Sequence, residues 1–103
     1  MNAAERLWRA IVGRDWDAMR AQFARDDARI EWPHTGERLT IEDYIAAHRA
    51  RPAERPVEVI RVTGDGEIFA VEARVGDARC AGFYDMHGGH IQAITEYWIG
   101  DVG

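Results

Sequence analysis

From Val57 to Ile99 the chain consists of four runs of alternating character, each separated from the next by a turn that contains glycine. Gly64-Asp65-Gly66 divides residues 57–63 from 67–75, Gly76-Asp77 leads into 78–86, and Gly88-Gly89 precedes 90–99. Successive side chains of a strand point to opposite faces, so short runs joined by such turns predict an antiparallel meander. A sheet of this kind must bury one face against another layer. The covering layer has to come from the first half of the chain.

Leu7, Trp8, Ile11 and Val12 recur at helical spacing, and Gly13 stands where a left-handed cap would end the helix. Asp15 can cap a second helix with Trp16, Met19 and Phe23 on one face. Residues 28–32 then read as a brief strand that stops at Pro33, because proline has no N–H to give a ladder. Thr40 and Asp43 form a capping box, after which Tyr44, Ile45 and His48 recur until Pro52 forces the chain out of helix. Residues 51–56 make a stiff connector. The expectation is one cone-shaped α+β domain spanning residues 1–103, with three N-terminal helices gathered on a curved, mainly antiparallel sheet and an interior left beyond the helices.

Composition narrows the partners. The 103 residues are 47% hydrophobic, enough for one core and too few for two. Thirteen basic residues, all arginine, face eighteen acidic ones for a net charge of −5, and no basic stripe exists to follow a phosphate backbone. The single cysteine, Cys80, allows no internal disulfide. No apolar run reaches signal-peptide or membrane-span length. A soluble, cytoplasmic protein without nucleic-acid or membrane partners is expected. His34, His48, His87 and His90 lack the spacing of a zinc motif, so neither metal nor cofactor is expected.

The string Phe23-Ala24-Arg25-Asp26-Asp27-Ala28-Arg29-Ile30-Glu31-Trp32-Pro33, then Gly36 and a helix start at Thr40, resembles the first half of nuclear transport factor 2-like proteins. Gly89-His90-Ile91, closing on Thr95-Glu96-Tyr97-Trp98, is similar to the ending of SnoaL-like (polyketide cyclase-like) and limonene-epoxide-hydrolase-like members. The resemblance covers nearly the whole chain. It implies a pocket for a small, ring-containing hydrophobic ligand, with a homodimer as the usual assembly.

Alternation sorts the meander into rows without saying which faces inward. Phe69, Val71, Ala73 and Val75 form one row, Ile68, Ala70, Glu72 and Arg74 the other. The resemblance implies that Glu96 faces the cavity and that Ile94, Trp98, Cys80, Tyr84, Glu72 and Arg74 join it. Glu96, Glu72 and Arg74 would then be a catalytic set among aromatic walls, with Glu96 as acid or base; the same charges could instead close a structural salt bridge. Relative to the epoxide hydrolases the strand pair is reversed, Glu72 standing at the arginine position and Arg74 at the acid. The ketosteroid isomerase pattern fails, because its three catalytic positions match Leu7, Trp32 and Gly82. Of the cyclase pair, the aspartate matches Glu96 but the histidine matches Gly82. His48, four residues after Tyr44 on the helix that roofs the pocket, is the best-placed histidine. Trp32 and Tyr44 complete the lining; Glu31 could face inward only in place of Trp32. The apolar row from Phe69 to Val75 suits a sheet-to-sheet dimer.

Overall fold

The computed structural model describes residues 1–100. Its elements are α1 (Ala3–Gly13), α2 (Trp16–Arg20), β1 (Arg29–Trp32), β2 (Glu37–Leu39), α3 (Ile41–Arg49), β3 (Val57–Gly64), β4 (Ile68–Val75), β5 (Ala78–His87) and β6 (His90–Ile99). Asn2 caps α1 by accepting from the Glu5 N–H, while the Glu5 carboxylate accepts from the Asn2 backbone; this reciprocal pair satisfies two donors that a helix start leaves open. The left-handed cap falls one residue later than the sequence suggests, on Arg14 (φ 55°) and not on Gly13. Arg14 holds that conformation with its side chain fastened: its guanidinium donates to the Arg49 and Arg51 carbonyls and lies 5.0 Å from the Trp16 ring centroid.

Asp15 and Thr40 cap α2 and α3 as expected, each accepting from a backbone N–H three residues on. The second helix is shorter than its apolar spacing implies. It ends at Arg20, and Phe23 forms a bridge to Ile91, with Ala24 N–H donating to the Ile91 carbonyl at 2.7 Å.

The six strands form one mixed sheet in the order β2-β1-β6-β5-β4-β3. The meander β3 to β6 is antiparallel throughout, and β1 joins it parallel to β6. β1 stops before Pro33 as expected, and β2, which no alternation announces, pairs at its outer edge. α1 packs on β3 and β6, α3 on β1 and β2. The core lies between, filled by Leu7, Trp8 and Ile11 from α1 and by Val71, Ala73, Val75, Tyr84, Ile91 and Ile94 from the sheet. A buried side chain of Leu or Ile size contributes roughly 1.5–3 kcal/mol.

The register decides which row of β4 faces this core. Val71 pairs with Gly82, Ala73 with Cys80, and Gly82 with Glu96, and residues directly opposite on neighbouring strands share a face. The inner row is therefore Phe69, Val71, Ala73 and Val75. Glu72 and Arg74 point outward, contrary to the expectation from resemblance. The reason is energetic: the apolar row gains by burial, whereas the charged row finds partners across the outer surface. Glu72 pairs with Arg61 (2.9 Å) and Arg79 (2.7 Å), and Arg74 with Glu58. The Phe69 to Val75 row is thus core and is not open to a second copy of the chain.

Candidate functional site

Glu96 is the one carboxylate fully withdrawn from solvent among the described residues, and no cation of those residues lies within ion-pair distance of it. It is held by neutral donors. Tyr84 Oη and Tyr44 Oη donate to its Oε2 at 2.6 and 2.7 Å, and Trp32 Nε1 donates to Oε1 at 3.1 Å. Trp8 Nε1 in turn donates to Tyr84 Oη at 2.8 Å, which orients that hydroxyl toward the carboxylate. Five elements meet here: α1 brings Trp8, β1 Trp32, α3 Tyr44, β5 Tyr84 and β6 Glu96.

Two influences act on this carboxyl in opposite directions. Burial disfavours its charge, and the donors from Tyr84, Tyr44 and Trp32 favour it; burial prevails and holds its pKa above the ordinary range. The Trp98 indole N–H also favours the charged form, though it makes no hydrogen bond of proper geometry. Burial and the facing carboxylate keep both tyrosines protonated well beyond their usual range, so they remain donors.

Gly82 makes the geometry possible. It sits opposite Glu96 on β5, and a Cβ there would collide with the Tyr84 ring and hydroxyl. The missing side chain leaves the space in which the phenol lies. The position that the isomerase pattern would give to an acid is thus taken up by a tyrosine from two residues on.

Next to this buried cluster lies a cleft of about 360 Å3, whose walls include Trp32, Trp98, His48 and Arg51. That volume falls within the roughly 300–1,000 Å3 usual for small-molecule pockets. The Trp32 and Trp98 rings stand 6.1 Å apart at 71°. Trp32 belongs to both regions, since its ring lines the cleft while its N–H binds Glu96.

His48 is 2% exposed, edge-on to Tyr44 at 4.9 Å. Its Nδ1 lies 2.7 Å from Arg51 Nη2. A guanidinium only donates, so Nδ1 must accept, and the ring proton sits on Nε2. Burial and the adjacent Arg51 push the imidazole down to about 3, and it stays neutral at physiological pH. His48 is therefore arranged as a hydrogen-bond donor and not as a base.

Of the residues that the sequence singles out, Glu96, Trp32, Tyr44 and Tyr84 converge in one network, and Trp98 and His48 stand beside it. Glu72 and Arg74 do not join them. Cys80 and Ile94 share the inner face but are fully buried in the core, off the cleft wall; burial pushes the Cys80 thiol far above its ordinary range. His34 is an exposed residue at the cleft, and His87 and His90 are exposed beside their turn. Sequence reasoning missed Arg51, the donor Trp8 and the part that Gly82 plays in seating Tyr84. Trp8 could have been suspected, because a Trp on a buried row needs a partner for its polar tip. Among the described residues no cluster of His, Cys, Asp or Glu could hold a metal, and no helix is long and apolar enough to cross a membrane.

Neither a family model nor a curated protein sequence matches the chain. Solved structures do. A "putative ketosteroid isomerase" from Kribbella flavida is 30% identical, with TM-score 0.77 over 96% of this chain and 76% of that one. An NTF-2 like protein of unknown function from Burkholderia xenovorans is 24% identical, with TM-score 0.82 over 96% and 81% of the two chains. IdmH from Streptomyces antibioticus, "a putative polyketide cyclase", is 17% identical, with TM-score 0.77 over 93% and 88%. The chain belongs to the nuclear transport factor 2-like superfamily, alongside its SnoaL-like and ketosteroid isomerase-like members.

Proposed function

We propose that the protein binds a small, flat, ring-containing molecule in the cleft between Trp32 and Trp98 and moves a proton on it with Glu96. The observation that carries this reading is a lone buried carboxyl, raised in proton affinity, directly behind a cleft wall. Oε1 is the working oxygen, because Trp32 alone occupies it and Trp32 borders the cleft; a substrate that turns the indole aside reaches the carboxyl. Tyr44 and Tyr84 hold Oε2 and fix the carboxyl plane. The hydrolase type loses its basis, since Glu72 and Arg74 lie on the outer face. A cyclase or isomerase type agrees with the names carried by the Kribbella and Streptomyces neighbours, with Glu96 in place of the ketosteroid isomerase residues that Leu7, Trp32 and Gly82 replace here.

The test is deuterium incorporation at the carbon next to the carbonyl of 2-tetralone in D2O, followed by proton NMR. The wild type should accelerate exchange, and Glu96→Gln should lower the rate by about 10²–10⁴-fold while keeping the fold. Exchange that Glu96→Gln leaves unchanged sinks the catalytic role. The complete enclosure of Glu96 favours a second reading, a ligand-binding domain without chemistry in which the network only stiffens the cleft floor. Binding of ring compounds without any exchange would select it.

A cytoplasmic homodimer belongs to the same proposal, with the dimer surface moved to the outer face of the sheet. There Phe83 and Tyr97 stand edge to face at 6.5 Å, with Ile68 and Ile99 also exposed. Light scattering that shows a monomer at working concentration would contradict it.

A further inference from the structure

Arg51 is 9% exposed, yet among the described residues no carboxylate lies within ion-pair distance of it. A guanidinium so enclosed, with its remaining donors at the cleft, is well placed to receive an anion. Burial and the like charge of Arg14 already weaken its hold on its proton. The one side-chain bond it makes, to His48 Nδ1, is to a neutral acceptor and leaves most of its five donors free. Beside it, His48 Nε2 is buried and has no hydrogen-bond partner. Both residues line the same cleft. Arg51 and His48 Nε2–H, one cationic and one neutral donor, thus border a space whose walls also include the indoles of Trp32 and Trp98.

We propose that the cleft is built for a ring compound carrying a carboxylate, with the carboxylate received by Arg51, a further oxygen of the ligand by His48 Nε2–H, and the ring lying against Trp32 and Trp98. This rests on the reading of the cleft as the ligand site and adds the class of molecule that fills it. A carboxylate matches the fork of a guanidinium with two parallel bonds, which a carbonyl oxygen cannot. Glu37, also at the cleft, is exposed, so water screens its repulsion. Arg51 also sets the specificity indirectly: by donating to Nδ1 it fixes the His48 proton on Nε2, so that the imidazole can only donate toward an oxygen.

Isothermal titration with 2-naphthoate and its neutral isostere 2-naphthamide tests this. The wild type should bind the carboxylate about tenfold or more tightly than the amide, as expected for hydrogen bonds to a charged group. Arg51→Met should abolish the preference while still binding the amide. In case that variant does not fold, histidine-labelled wild type supplies a second readout: the resonance of His48 Nδ1, which accepts from Arg51, should shift on adding naphthoate. Equal affinities, a preference that survives Arg51→Met, an unmoved His48 resonance, or no binding of either compound at millimolar concentration would each overturn the inference. Glu96→Gln should keep the preference intact. A retained preference with unaltered tetralone exchange in Glu96→Gln counts against the catalytic role alone, and a lost preference with Glu96-dependent exchange counts against the carboxylate alone.

Discussion

The two faces of the same sheet use the same acid in opposite ways. On the outer face Glu72 lies between Arg61 and Arg79, and its pKa is lowered, first by the hydrogen bond from Arg79. On the inner face Glu96 has no arginine at all, only two phenols and an indole, and its pKa is raised by burial. Charge that is paired and wet is inert, because water already supplies most of what the partner offers. Charge that is dry and held by neutral donors can be switched by a proton. Chemistry belongs where the carboxyl lacks a counter-ion.

Removing each glutamate in turn should expose the contrast most strongly. Glu96→Ala leaves the Tyr44, Tyr84 and Trp32 donors without their acceptor, at about 1–3 kcal/mol for each that finds no water, so urea denaturation should show a loss of several kcal/mol. Gly82→Ala tests the same network without touching a charge. The new methyl must push the Tyr84 ring aside, costing about 1–3 kcal/mol, and the tyrosine fluorescence and the pH response of Glu96 should change with it. A Gly82→Ala protein as stable as the wild type would mean that Tyr84 is not held as described.

The pH response separates the inner groups further. His48 has a folded pKa of about 3 against an unfolded value near 6.5, so the unfolded chain takes up a proton that the folded one refuses. Stability should therefore be unaffected by His48 above that unfolded value and fall as pH drops below it, by at most about 1.4 kcal/mol per unit. His48→Phe should flatten this acid slope in denaturation curves between pH 6.5 and 4.5. Glu96 acts the other way. Its folded pKa is raised, so its contribution is fully present below the ordinary carboxyl range and is lost as pH rises through the folded value; Glu96→Gln should remove that alkaline-side loss. The smallest effect belongs to the outer face: Glu72→Gln should leave the melting temperature nearly unchanged, and a large drop there would erase the contrast between the faces.

The order of elements could be read from alternation and turn chemistry, and β6 from His90 to Ile99 has the limits that the sequence implies. The inward direction of Glu96 was also legible, through resemblance. The direction of Glu72 and Arg74 was not, because a period of two has two solutions and resemblance selected the wrong one for β4. Burial argues for the other: with one face covered, the row without a charge, Phe69 to Val75, belongs inside. β2 escaped notice because three residues, Glu37–Leu39, are too few to show a period. By its sequence Arg51 is only the first residue of a stiff connector. Its burial depends on how α3 and Pro52 meet the tryptophans, which no local pattern encodes.

The empty place at Gly82 also limits how such a site can change over generations. An acid introduced there alone would meet the Tyr84 phenol, and shortening Tyr84 alone would leave Glu96 with one donor fewer and Trp8 without its acceptor. Either single step passes through a damaged protein. A lineage that carries glycine and tyrosine at these two positions is therefore separated from one that carries an acid there by a paired exchange, and the two arrangements can share a fold while remaining difficult to interconvert.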